Sequence, residues 1–195
     1  MTGLISSSIW LIVWTCFTGS MRYNLDPFEQ FDDSDLWGVL EEVELKDVIE
    51  DMPGGLSAMV NEGGANLSMG QRQLVCLARA ILRNSRVLVL DEATASVDRH
   101  TDALIQATIK RRFAHCTVLT VAHRLYSIMD SDRILVMERG CAMEFGPPHI
   151  LLQNQNGIFS SLVTQAGNEG SAQIRAFAER CYNEKCALIS SGDDS

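Results

Sequence analysis

The sequence predicts an α/β fold built on a parallel sheet, from three features of its 195 residues. Residues 87–90 (VLVL) form an apolar run without period-two alternation, the pattern of a strand covered on both faces. A second apolar run at 117–122 follows it, with a helical pattern at about 99–113 between the two. Asp91, Glu92 and His123 fall just past the ends of these runs, at the carboxyl edge where parallel sheets hold their ligands. Strand, helix, strand, short connection, strand is the order of a sheet with right-handed crossovers.

Taken from the N-terminus, residues 9–14 (IWLIVW) are an unbroken apolar run, too short to span a bilayer and interrupted upstream by Ser6, Ser7 and Ser8. The first basic side chain is Arg22, so the start lacks the charge of a signal peptide, and no targeting segment is expected. A helix is predicted over residues 35–44, with Ser34 or Asp35 as N-cap and Leu36, Val39, Leu40 and Val43 on one face. Pro53-Gly54-Gly55 breaks the chain, and residues 61–66 (NEGGAN) form a second glycine-bearing loop. A strong helix begins at Ser68, with Leu74, Leu77, Ala78, Ile81 and Leu82 aligned. Beyond residue 122, a third strand is predicted at 133–137, and residues 138–140 read as the turn of a hairpin into 141–145. After residue 163 the chain is weakly patterned and reads as a flexible tail.

Composition narrows the function. An apolar content of 46% describes a globular interior, and 16 basic against 25 acidic residues, a formal charge of −9, argue against a nucleic-acid partner. Eleven of the acidic residues lie between Asp26 and Asp51, against the single Lys46, so the acidity belongs to one segment and reads as a solvated helical face. The six cysteines match neither a zinc ligand set nor a small disulfide scaffold, which points to a reducing compartment.

Three places carry candidate chemistry. At residues 67–71 (LSMGQ) a serine and a glycine stand at the mouth of a helix, where a hydroxyl, unpaired N–H groups and the helix dipole together suit phosphate oxygens. An ordinary N-cap at Ser68 explains the pentapeptide equally well. Asp91 and Glu92 at a strand end suit Mg²⁺ capture and water activation in phosphoryl transfer, or else acidic capping of the next helix. His123 suits contact with the same phosphate, or a structural role.

Together, residues 67–73 (LSMGQRQ), 87–98 (VLVLDEATASVD) and 121–124 (VAHR) resemble the signature motif, Walker B, D-loop and switch histidine of an ATP-binding cassette, in that family's order. Residues 17–28 (FTGSMRYNLDPF) are similar to the segment after the Q-loop in C-family exporters, the multidrug-resistance-associated proteins. Met69 in the signature and Glu92 ending Walker B resemble the second cassette of that family. The resemblance implies a partial P-loop NTPase (RecA-like) sheet with the cassette's helical subdomain, and ATP with Mg²⁺ as cofactors. It implies that Asp91 holds Mg²⁺ through water, that Glu92 orients the attacking water and that His123 contacts the γ-phosphate. Ser68, Gly70 and Gln71 would touch the nucleotide of an opposite cassette, and Asp98 would cross that interface. The implied partners are another ABC nucleotide-binding domain and the transmembrane domains of a parent transporter, an exporter of organic anions or drugs with this domain on the cytoplasmic side of its membrane.

The same resemblance sets further expectations. Residues 1–16 are read as an unrelated or divergent segment, since residues 11–16 (LIVWTC) depart from the family's Q-loop; 17–85 as helical subdomain and signature; 86–164 as the C-terminal part of the ATPase core; and 165–195 as tail. Lys46, Lys110 and Lys185 follow Leu45, Ile109 and Glu184, so none has the glycine of a Walker A lysine before it, and the Walker A strand and loop are expected to be lacking. Without that phosphate cradle the isolated chain is expected to hold ATP weakly and to be inactive as an ATPase. The alternative reading is a non-catalytic module that donates its signature face to an intact cassette. Unpaired parallel strand edges and an exposed apolar face, leading to marginal stability or association, are also expected.

Overall fold

The computed structural model describes residues 9–12, 16–91, 97–122, 124–165 and 167–192. Its contacts divide into two compact units, residues 1–121 and 122–195. The first contains β1 (Ile9–Ile12), β2 (Gly19–Ser20), α1 (Met21–Leu25), α2 (Asp33–Glu42), α3 (Lys46–Glu50), β3 (Met59–Val60), α4 (Met69–Arg83), β4 (Val87–Asp91), α5 (Arg99–Arg112) and β5 (Thr117–Val121). The second contains β6 (Ile134–Glu138), β7 (Cys141–Gly146), α6 (Pro148–Gln153), α7 (Ile158–Thr164) and α8 (Asn168–Gly192).

In the first unit β1, β4 and β5 form a parallel sheet in that order, with Ile9 opposite Val87 and Val87 opposite Thr117. Residues 9–12, read from sequence as part of an unrelated segment, therefore form a strand beside β4. Their apolar, partly β-branched composition suits a strand paired in a parallel sheet, whatever its ancestry. Burial along β4 is one-sided: Leu88 and Leu90 are buried while Val87 and Val89 are half-buried, so the expected two-faced cover is incomplete. On β5 the outer residues are open, with Leu119 54% and Val121 57% exposed.

Helix α4 supplies much of the core beneath this sheet. Leu74, Val75, Leu77, Ala78 and Ile81 are buried, and they share one cluster with Leu36, Val39 and Leu40 of α2, Leu88 and Leu90 of β4, and Ile105 and Ile109 of α5. The amphipathic stripe predicted the buried face, and both ends are closed as the residues require. Ser68 is the N-cap, and Asn84 adopts the left-handed conformation at the C-cap, with φ 46°. Helix α2 starts two residues earlier than expected because Asp32, rather than Ser34 or Asp35, is its cap: Asp32 Oδ1 accepts the Asp35 N–H at 2.9 Å.

The acidic segment is largely solvated, as its spacing predicts, with one exception. Asp26 is only 1% exposed, and its Oδ2 accepts the Phe31 N–H at 2.8 Å while Arg83 stands 3.9 Å from Oδ1. Glu42 on α2 meets Arg111 and Arg112 at the end of α5, at 3.3 and 3.1 Å.

In the second unit β6 and β7 form an antiparallel hairpin. The hairpin expected at residues 138–140 forms through the two-residue turn Arg139-Gly140, with φ 50° and 81°; the order of elements had also placed residues 133–137 in the parallel sheet, but among the described residues β6 pairs with β7 alone. Glu144 of β7 accepts the N–H groups of Ile158 and Phe159, each at 2.9 Å, and so caps α7. Residues 168–192, read as a flexible tail, form the single helix α8. Its hydrophobic stripe is short and escapes notice in sequence, but Ile174 and Ala178 are buried with Leu152 and Phe159, and the Phe177 ring stacks on Tyr126 at 4.7 Å. Arg175 ties α8 down by donating to the Leu152 carbonyl at 2.8 Å and to Ser160 Oγ at 2.7 Å. Among the described residues no helix is long and apolar enough to cross a membrane.

Candidate functional site

Four of the sequence-predicted site residues, Ser68, Gly70, Gln71 and Asp98, lie at the amino ends of α4 and α5. Ser68 has extended backbone angles, and its Oγ accepts the Gln71 N–H at 3.1 Å while Gln71 Oε1 accepts the Ser68 N–H at 2.8 Å. This reciprocal capping box fixes where α4 begins. The N-cap reading of the pentapeptide is the one the structure shows. Ser68 is an N-cap, and because its oxygen serves as the acceptor, its hydroxyl hydrogen remains a donor beside first-turn N–H groups that have no partner within the helix. The residue between them, Met69, is 43% exposed.

Gly70 is there for closeness. A Cβ on Gly70 would stand 2.9 Å from Thr101 Cγ2, so any side chain would push α4 away from α5. Thr101 in turn is held by Asp98, the N-cap of α5, whose Oδ1 accepts the Thr101 N–H at 3.0 Å. The bonds from the Thr101 backbone and hydroxyl hold the Asp98 carboxyl below the usual carboxylate range, because they favour its charged form. One glycine contact therefore joins the Ser68–Gln71 cap to the Asp98 cap, an arrangement of spacing that sequence alone does not reveal.

A second glycine supports the same edge from behind. Gly64 has φ 73°, and a Cβ there would meet Arg72 Cδ at 2.6 Å. Arg72 lies across this loop and donates to the Gly63 carbonyl at 3.2 Å, fixing the NEGGAN turn against the first turns of α4.

Residues 17–28 are held by a buried polar cluster that sequence reasoning had not singled out. Asn24, 1% exposed, takes the Phe17 N–H on Oδ1 at 2.9 Å and donates from Nδ2 to the Phe17 and Ser20 carbonyls at 2.8 and 3.1 Å. Arg79 of α4, 9% exposed, donates to Asn24 Oδ1 at 2.7 Å and through Nε to the Asn24 carbonyl, with its guanidinium 5.2 Å from the Phe17 ring centre. The signal was an arginine on the buried stripe of an amphipathic helix, which demands an acceptor somewhere in the core.

Asp91 is the last residue of β4 and is exposed, opposite Val121 of β5. A strand-end carboxylate is the hard oxygen donor that Mg²⁺ prefers, and one or two such groups with water and phosphate suffice for that ion. Among the described residues there is no group of three or more His, Cys, Asp or Glu side chains poised to hold a metal. The expected catalytic residues Glu92 and His123 lie outside the described residues.

Comparison with known proteins identifies the family. The family model described as ABC transporter matches residues 16–95. Over 167 residues the chain is 54% identical to the "Probable multidrug resistance-associated protein lethal(2)03659" of Drosophila melanogaster, covering 85% of this chain and 12% of that protein. It is 52% identical over 166 residues to "ATP-binding cassette sub-family C member 4" of Homo sapiens, again 85% and 12%. With "ABC transporter C family member 3" of Dictyostelium discoideum it is 53% identical over 163 residues, 84% and 12%. The chain thus spans about an eighth of the length of these curated relatives. On this ground the chain belongs to the C sub-family of ATP-binding cassette transporters and carries nucleotide-binding-domain sequence.

Proposed function

We propose that this chain serves in the nucleotide-binding domain of a multidrug-resistance-associated exporter, in its second cassette, where ATP hydrolysis is coupled to transmembrane export of organic anions or drugs. The observation that carries this reading is the joined edge of Ser68, Gly70 and Asp98: an open helix N-terminus with a hydroxyl donor, held beside an exposed carboxylate cap. That edge suits a phosphate presented from outside the chain, by an opposite cassette. Ser68 and the α4 N-terminus would bind its γ-phosphate, Gln71 would reach toward its ribose, and Asp98 would meet the facing subunit. Residues 17–85 would act as helical subdomain and signature, and 86–164 as the C-terminal part of the ATPase core.

On the chain's own nucleotide, Asp91 would hold Mg²⁺ through water, and the bound ion would neutralise charge on the phosphate oxygens. Glu92 would orient the attacking water as its base, and His123 would contact the γ-phosphate. None of the three lysines follows a glycine, so on this reading none of them would cradle the phosphates. The partners are accordingly a second nucleotide-binding domain and membrane-embedded domains, with this domain on the cytoplasmic face.

Analytical ultracentrifugation of the chain mixed with an intact sub-family C nucleotide-binding domain tests this. MgATP is expected to drive a heterodimer that Ser68→Arg or Gly70→Asp in this chain abolishes, while the chain alone shows no ATP turnover. Association indifferent to ATP and to both substitutions, or robust hydrolysis by the chain alone, would overturn the proposal.

A further inference from the structure

Two thiols meet in the core of the first unit, behind the edge just described. Cys16 lies immediately before Phe17 and is 2% exposed; Cys76, on the buried stripe of α4 two turns beyond Ser68, is also 2% exposed. The Cys76 side chain hydrogen-bonds the Cys16 thiol. Arg79 Nη1 donates to Cys76 Sγ at 3.9 Å, and Arg72 lies one turn earlier on the same helix. On the other side, a Cβ on Gly64 would come within 3.1 Å of Cys16 Cβ, so the NEGGAN loop holds Cys16 against the helix.

We propose that Cys16 and Cys76 are a dithiol oxidation site, which a small hydroperoxide converts to an intrachain disulfide stapling the segment before α1 to α4. The Cys16 thiolate attacks the distal peroxide oxygen, breaking the O–O bond, and becomes a sulfenic acid as the alcohol or water departs. Cys76 sulfur then attacks the sulfenic sulfur, its proton leaves with the hydroxyl as water, and the S–S bond forms. Two thiols and one hydroperoxide give one disulfide, one alcohol (water, for hydrogen peroxide) and one water.

The surroundings choose which sulfur reacts first. The Cys76 hydrogen bond, then the Arg79 and Arg72 guanidinium charges, favour the Cys16 thiolate against the opposing effect of burial and bring its pKa down to about 7. Closing the bond to about 2.05 Å asks for movement, and Cys16 sits on irregular backbone that yields more readily than α4. Burial of both sulfurs restricts the oxidant to molecules near the size of hydrogen peroxide. Elsewhere the thiols are differently engaged: Cys116 donates to the Ser85 carbonyl at 3.0 Å, and burial, then the Asp130 and Glu184 charges, raise the pKa of Cys181.

The test is native oxidation of the reduced chain with hydrogen peroxide, followed by unreduced tryptic digestion and mass spectrometry. The expected product joins the peptide ending at Arg22 to the peptide Gln73–Arg79, short of their summed mass by two hydrogens. In the unsubstituted chain, the ultraviolet thiolate absorbance that Cys16→Ser removes should rise with a midpoint near pH 7. Cys16→Ser abolishes the crosslink; Cys76→Ser also abolishes it and leaves a sulfenic acid at Cys16 that dimedone traps when the oxidised chain is unfolded in its presence. The proposal is overturned if native oxidation gives no such crosslink, if the crosslink forms only after urea unfolding, or if Cys16 titrates like an ordinary thiol.

Discussion

Strands β4 and β5 are neighbours of similar composition, VLVLD against TVLTV, yet they live in different environments. β4 has a paired strand on each side, and Leu88 and Leu90 point into the α4 core at 0% and 6% exposure. β5 has β4 on one side, and Leu119 and Val121 stand more than half exposed, while Val118 alone turns toward the core. Apolar character says that a segment wants cover; which segment obtains it depends on where helices α4 and α5 lie. Exposed apolar residues on a parallel strand are unusual and mark a surface suited to further protein.

The largest expected effect sharpens this contrast. Leu88→Ala should destabilise the chain by about 3 kcal/mol in urea unfolding, whereas Leu119→Ala should change it by under about 0.5 kcal/mol. Equal losses at the two positions would mean that β5 is covered in solution and would end the comparison. Next comes the anchor that fixes α4 itself. Asn24→Ala removes an acceptor from buried Arg79 and three bonds to the 17–20 backbone, and should cost about 2 kcal/mol. A loss near zero would show that the Asn24 carbonyl alone satisfies the guanidinium.

The smallest effect concerns the α5 cap beside Gly70. The Asp98 carboxyl is held below its ordinary value in the folded chain, so its contribution is present above the unfolded pKa, near pH 4, and fades as pH falls through the folded value. Denaturation midpoints of the wild-type chain and Asp98→Asn, followed from pH 7 down to pH 3, should therefore converge at the acid end. A constant gap would remove the Thr101 bonds from the explanation.

Much of the fold was legible where local chemistry decides it. The start of α4 follows from Ser68 and the β6–β7 turn from residues 138–140, while the left-handed Asn84 that ends α4 came only with the structure. The signature and Walker B segments were legible as motifs, and the match over residues 16–95 agrees with them. What escaped sequence reading depends on distant partners. Helix α8 has weak periodicity and owes its order to Arg175, Phe177 and Lys185, the last reaching the Asp130 carbonyl and Asp132 at 2.6 Å each. The Asn24–Arg79 cluster joins residues 55 positions apart.

The sequence by itself determined the α4 start, the β6–β7 turn, the order of motifs and the family to which they belong, because each of these signals rests on residues within a few positions of one another. Tertiary structure alone decided that residues 9–12 would pair with β4, that Gly70 would admit Thr101, that Asp26 would be the buried member of an acidic run, and that two of six cysteines would touch. Those outcomes depend on which surfaces meet after the helices dock, and no local spacing encodes that meeting.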